Sequence, residues 1–308
     1  MADPVHVVGA SGRSGSALCR SLLAEGIGFV PVVRDAARWA ATGLPGPGRV
    51  ADLTDAAALG RALADAGRVA SCAHARHAAA ILHAAPQARR FVFLGSTRKF
   101  TRWPDAHGDG VLVGEAAFRA SGRAGAMLHP TMIYGAQGED NVQRLAALLR
   151  RLPVLPLPGG GRALVQPIHQ DDVTNCLRTA LDRPWDGPAS LVIAGPAPLE
   201  YADFVRAVAA AAGLAAPRIL PLPAWPLMAA SGLTRALPFL PTIRAAEIRR
   251  LLEDKAFDIG PMIRELGVIP IPLEQGLART FRRTQNDQDK EGNAPCPSST
   301  ASPTSTPT

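Results

Sequence analysis

The run VHVVGASGRSGSALCRSLLAEG, residues 5–26, constrains the fold more than any other part of the chain. A short apolar run ends at Val8, glycines follow at Gly9, Gly12 and Gly15, and an Ala/Leu-rich helical stretch opens directly. Each glycine has a physical job there. Gly9 allows a tight turn, Gly12 lets the backbone touch a pyrophosphate, and Gly15 lets helix and strand pack closely, while the helix N-terminus offers unpaired N–H groups. Ser11 and Arg13 belong to the same loop.

Beyond it, β-branched runs at 5–8, 29–33, near 49, 68–72, 91–95 and 126–130 alternate with helical stretches at 16–25, 55–66, 74–84 and 111–121. That alternation predicts βαβ units and a parallel sheet. The expected fold is α/β, a doubly wound Rossmann-type sheet over residues 1–160 with a small C-terminal substrate or lid region, 161–284, interleaved with the core. After residue 135 the connections become rich in Pro and Gly, with helices expected near 139–151, 171–182, 200–212 and 242–255. The apolar stretch LPLPAWPLMAASGLTRALPFLP, 220–241, reads as pocket lid or core. From Gln285 the apolar content is lost, which predicts a disordered tail over 285–308.

Composition excludes several classes. Cys19, Cys72, Cys176 and Cys296 have neither disulfide-framework nor zinc-knuckle spacing. No charge-free apolar run reaches the ~18 residues of a membrane span, and the N-terminus lacks a signal-peptide pattern, so a cytoplasmic protein is expected. The net charge of +7 comes almost wholly from Arg spread along the chain, without aromatic interleaving; no nucleic-acid partner is expected. His74, His77 and His83 have no carboxylate or Cys at ligand spacing and read as helix-surface histidines; no metal is expected. Asp171 and Asp172 read as helix caps.

The fingerprint is spaced GxxGxxG, and with VADLTD at 50–55, SCAHA at 71–75, LHPTMIYG at 128–135 and PIHQDDV at 167–173 it resembles the short-chain dehydrogenase/reductase superfamily, extended or atypical branch. The resemblance covers residues 5 to about 182. It implies a nicotinamide dinucleotide across the strand ends, with Asp52 and neighbouring Leu53 at the adenine and Cys72 and Ala73 beside the ribose. VVRDAAR puts Arg34 at the tip of the second strand, where a guanidinium suits the 2′-phosphate of NADP. Asp35, one residue on, would suit NAD if the strand ended later, so NADP is expected with NAD as the alternative.

The resemblance also implies a Ser/Thr after the fifth strand and a Tyr with Lys four residues later, a pair that lets a phenol of pKa ~10 work near neutral pH. Ser96 matches the first role, with Thr97 beside it. The lysines are Lys99, Lys255 and Lys290, preceded at four residues by Gly95, Leu251 and Asn286, so YxxxK is absent. VLVGEAAFRASG, 111–122, aligns Val111 with the family's Lys and His107 with its Tyr. His107 or a loop cation, Lys99 or Arg98, is left as the proton carrier. His129 stands where LRPT has Arg, and Tyr134 borders the substrate cleft or packs against it.

Two readings follow. One is an NADP(H)-dependent oxidoreductase, epimerase or dehydratase acting on a small carbonyl or hydroxyl substrate, as monomer or homodimer. The other is a cofactor-binding sensor or assembly factor without turnover. A basic surface module has least support.

Overall fold

The computed structural model describes residues 3–135, 141–226 and 249–292, with backbone alone beyond residue 282. Most of the apolar stretch 220–241, much of the helix expected near 242–255, and the tail from 293 lie outside the described residues.

The strands are β1 (Val5–Val8), β2 (Phe29–Val33), β3 (Arg49–Val50), β4 (Arg68–Ser71), β5 (Arg90–Leu94) and β6 (Gly125–Pro130), with helices α1 (Arg13–Ala24), α2 (Ala36–Ala40), α3 (Ala56–Leu63), α4 (Ala78–Ala84) and α5 (Ala106–Ala120) between them. After β7 (Ile133–Tyr134) come α6 (Asn141–Arg151), β8 (Val154–Pro158), β9 (Leu164–Val165), β10 (Ile168–His169), α7 (Gln170–Asp182) and β11 (Pro188–Ile193). The chain continues through β12 (Leu199–Glu200), α8 (Tyr201–Ala211) and β13 (Arg218–Leu222), then α9 (Gly260–Leu266) and α10 (Leu273–Gly292).

Seven parallel strands form one sheet in the order β11-β6-β5-β4-β1-β2-β3. The chain builds outward from β1 in one direction and then in the other, so the crevice between β1 and β4 is the switch point where such sheets bind ligands. Both faces are covered, which is why β1 is buried at every position despite carrying His6. One core cluster packs Leu18, Leu22, Leu177 and Met262 on one face; Leu59, Ile81, Phe91 and Phe118 pack on the other. The later region is interleaved with this layer: α7 packs on α1, and β11 extends the main sheet beside β6. A separate cluster of Tyr134, Val142, Phe204, Val208 and Leu277 joins α6, α8 and α10.

Local side chains move several boundaries from those expected. The stretch read as one helix from residue 74 is a single 3-10 turn, Ala75–His77, followed by α4, because the His74 ring accepts the Arg76 N–H and caps the turn. Helix α5 begins at Ala106 rather than near 111, because the Asp105 carboxylate accepts N–H bonds from His107 and Gly108. At α7 the cap is His169, whose Nδ1 accepts the Asp171 N–H; Asp171 and Asp172 occupy the first turn instead of capping it. Helix α10 runs through Gly292, seven residues past the expected start of the tail. Among the described residues no helix is long and apolar enough to cross a membrane.

Candidate active site

The carboxyl ends of β1, β2, β4 and β5 face a common edge. Gly9 adopts φ +76°, and a Cβ on it would press on the Ala73 nitrogen at 3.1 Å, so the turn after β1 lies directly against the end of β4 at Cys72–Ala73. A Cβ at Gly15 would sit 2.2 Å from the Gly9 carbonyl oxygen; only glycine lets α1 start this close to the strand it leaves. Gly12 caps α1 with no side-chain hydrogen bond, and Ser11 and Gly12 are half-buried while Arg13 is exposed. The first-turn N–H groups thus receive no side-chain acceptor from their cap, the arrangement that holds a phosphate.

At the β2 tip Arg34 and Asp35 differ in their local partners. The strand ends at Val33, and the Asp35 carboxylate is committed to α2, accepting the N–H groups of Ala37 at 2.9 Å and Arg38 at 3.2 Å. Arg34 is exposed at the tip, as is Asp35 beside it. Asp52 folds back to accept the Thr54 N–H and hydroxyl at 2.8 and 2.6 Å, bonds that hold its carboxyl below the usual range with help from nearby Arg34 and His77. Leu53 is half-buried against the core, and burial pushes the Cys72 thiol up to about 12, leaving it no nucleophile.

Beyond β5, Ser96 caps a 3-10 turn, Thr97–Phe100, through its hydroxyl oxygen, which accepts the Arg98 N–H at 3.2 Å. Its backbone N–H points to His129 Nδ1 at 3.2 Å, and Thr97 anchors the loop by donating to the Pro130 carbonyl. His129, expected at the substrate cleft, is fully buried beneath Gly95 and supports the loop from below; burial and the Lys99 charge pull it down to about 4. Lys99 is equally withdrawn: its Nζ lies 2.5 Å from Glu115 Oε2 and 3.2 Å from His129 Nε2. Tyr134 is a core residue, packed edge-on to His169 and against Gly276 of α10, with its phenol pushed up by burial. Val111 is buried, so the position aligned with the family's Lys carries no charge to the cleft.

His107 occupies the first turn of α5, and His74 Nε2 stands 3.2 Å from its Nδ1, with the rings edge to face at 4.4 Å. His74 was not legible as a site residue, although its place directly after β4 was the available signal. Arg76, Arg98 and Arg250 surround the pair, and Asp105 faces it with its carboxylate ion-paired to Arg98 and, at 3.3 Å, to Arg250. Burial first, then the three guanidinium charges, lower the His107 pKa. Glu253 ties the segment 249–258 to the same loop, accepting the Thr101 hydroxyl at 2.9 Å and the Arg102 N–H. Among the described residues no group of three or more potential ligands could hold a metal ion.

No family model matches the sequence, and no curated protein matches it. Solved structures do match. A nucleoside-diphosphate-sugar epimerase from Pseudomonas aeruginosa superposes with TM-score 0.69 at 20% identity, over 93% of this chain and 99% of that one. NADPH-dependent quinone oxidoreductase QOR2 from Escherichia coli, complexed with NADPH, gives 0.69 at 18%, over 90% and 99%. UDP-glucose 4-epimerase from Thermotoga maritima, with UDP-glucose, gives 0.70 at 15%, over 92% and 99%. The class defined here is therefore one of fold: the Rossmann architecture shared by these reductases and epimerases, along nearly their whole length.

Proposed function

We propose that this chain is an NAD(P)-binding oxidoreductase of the atypical short-chain dehydrogenase/reductase kind, with NADP favoured over NAD, acting on a small carbonyl substrate. The observation that carries the reading is the cradle, where Gly9 and Gly15 bring the start of α1 against the ends of β1 and β4. A reduced nicotinamide, when held there, would supply a hydride to a carbonyl carbon. The chain's own part is to bind and orient. The α1 N-terminus takes the pyrophosphate, Arg34 takes a 2′-phosphate, and Cys72–Ala73 border the ribose. Ser96, whose hydroxyl oxygen accepts the Arg98 N–H, keeps its O–H to donate to the substrate oxygen. His107 supplies a second donor. As the C=O π pair moves to oxygen these donors meet the growing charge, and solvent water supplies the proton that completes the alcohol. Residues 1–160 carry the cofactor unit, with α7 and β11 of the later region interleaved into it.

One observation favours the reading without turnover: Val111 is buried and Lys99 is bound to Glu115, so neither rebuilds the Tyr/Lys pair. The two readings part in one experiment. Thermal shift with NADPH and NADH tests the cradle, and loss of reduced-nicotinamide absorbance across a panel of aldehydes, ketones and quinones tests turnover. Binding without any turnover leaves the sensor; stabilisation by neither nucleotide removes both readings.

A further inference from the structure

We propose that His74 fixes His107 as a neutral imidazole with its proton on Nε2, and that this N–H is the donor offered to the substrate oxygen in place of a tyrosine.

His74 Nδ1 faces two obligate donors. The backbone N–H of Arg76 points at His74 Nδ1 from 3.1 Å, and the Arg76 Nε–H reaches the same atom at 3.2 Å. Neither group can accept, so Nδ1 must present its lone pair, and neutral His74 carries its proton on Nε2. That Nε2 stands 3.2 Å from His107 Nδ1. Arg76 Nη2, at 3.5 Å from Nε2, is the longer contact. His74 therefore donates, His107 Nδ1 accepts, and the His107 proton is left on Nε2, where no hydrogen-bond partner stands among the described residues.

Protonating His107 would set an Nδ1–H against the Nε2–H of His74. The surrounding charges oppose it too. The turn 74–77 brings Arg76, with His77 beside His74; the preceding loop brings Arg98 and Asp105; the segment 249–258 brings Arg250. Three guanidinium groups outweigh one carboxylate already shared between two of them. A neutral imidazole cannot give up its last proton easily, but it polarises a carbonyl as a fixed donor. His74 is accordingly a positioning residue. It acts through His107, and the arrangement suits reduction of a carbonyl rather than abstraction of a proton from an alcohol.

The proposal rests on the functional reading only for its substrate. The test uses full-length protein labelled with 15N-histidine, without cofactor, at pH 7. The expected result is a pyridine-type shift at His107 Nδ1 and a pyrrole-type shift at Nε2, assigned by loss of signals in His107→Phe. In His74→Phe the His107 signals become those of mixed tautomers, while His74→Gln, whose amide N–H replaces the donor, restores the pattern. A proton on His107 Nδ1, an imidazolium at pH 7, or a tautomer indifferent to His74→Phe overturns the proposal. With turnover, kcat falls roughly 10–100-fold in His74→Phe with little change in the carbonyl KM, and recovers in His74→Gln. Absence of nicotinamide binding would overturn the functional reading alone, because the nitrogen shifts are read without cofactor.

Discussion

Lys99 Nζ lies 2.5 Å from Glu115 Oε2, and the two side chains are only 8% and 11% exposed. The pair sits between α5 and the β6–β11 edge, where Glu115 also accepts the Ser190 hydroxyl at 2.7 Å. Burial pushes the Glu115 carboxyl up, but the bonds from Lys99 and Ser190 outweigh it and hold the group low. Breaking one side of such a pair leaves the other charge buried. Glu115→Gln should therefore lower unfolding free energy by about 3 kcal/mol, read from urea midpoints. A loss near zero would show that water replaces the carboxylate without penalty.

The cradle gives two unlike outcomes from neighbouring glycines. Gly15→Ala puts a methyl 2.2 Å from the Gly9 oxygen and should cost both stability and nucleotide binding. At Gly12 a Cβ would meet that oxygen at 3.2 Å, so Gly12→Asp should fold, cap α1 with its own carboxylate, and abolish the thermal shift with NADPH. Retained nucleotide stabilisation in Gly12→Asp would contradict a phosphate site there.

Arg34→Ala should separate the two cofactors. Loss of one charge-assisted contact, about 1.5–3 kcal/mol, corresponds to roughly 10–100-fold weaker NADPH binding with NADH nearly unchanged. Titration by intrinsic tryptophan fluorescence reads both. Equal losses for the two nucleotides would place Arg34 away from the 2′-phosphate.

Ser96→Ala removes the hydroxyl donor and the cap of the Thr97–Phe100 turn. The expected result is a fall in kcat of roughly 10²-fold, alongside about 1 kcal/mol of stability. Wild-type turnover in this variant would take the loop out of the chemistry.

Acid should destabilise the protein through its buried histidines. Burial holds His129 and His74 down to about 4, whereas the unfolded chain binds these protons near pH 6.5. The unfolded state therefore gains protons first as pH falls. Stability from these groups is full above about 6.5 and is lost toward about pH 4. Denaturation curves across that window should show the decline, and His129→Gln should make it shallower; an unchanged slope would mean His129 protonates in place.

Much of the fold was legible because the glycine fingerprint and the alternation of strands and helices report directly on backbone geometry. The glycines at 9, 12 and 15 sit where the chain turns from β1 into α1. The site was legible in part. His107 could be placed by its distance from Glu115 along a helix, but the helix start could not, because Gly108 and Gly110 hid it and Asp105 supplies the cap. Lys99 looked available by its place in the loop; its burial depends on Ser190 and His129, far away in sequence. His74 failed for the same reason, since its partner lies 33 residues on.

Asp105 starts α5 and also takes Arg250 from the far end of the chain, while Glu253 grips the loop that precedes it. The loop after β5 and the segment 249–258 are thereby joined into one structural part. A chimera that keeps residues 1–160 and borrows its later half from another protein of this fold would leave Asp105 and Thr101 without their partners, so halves cannot be grafted unless loop and segment travel together.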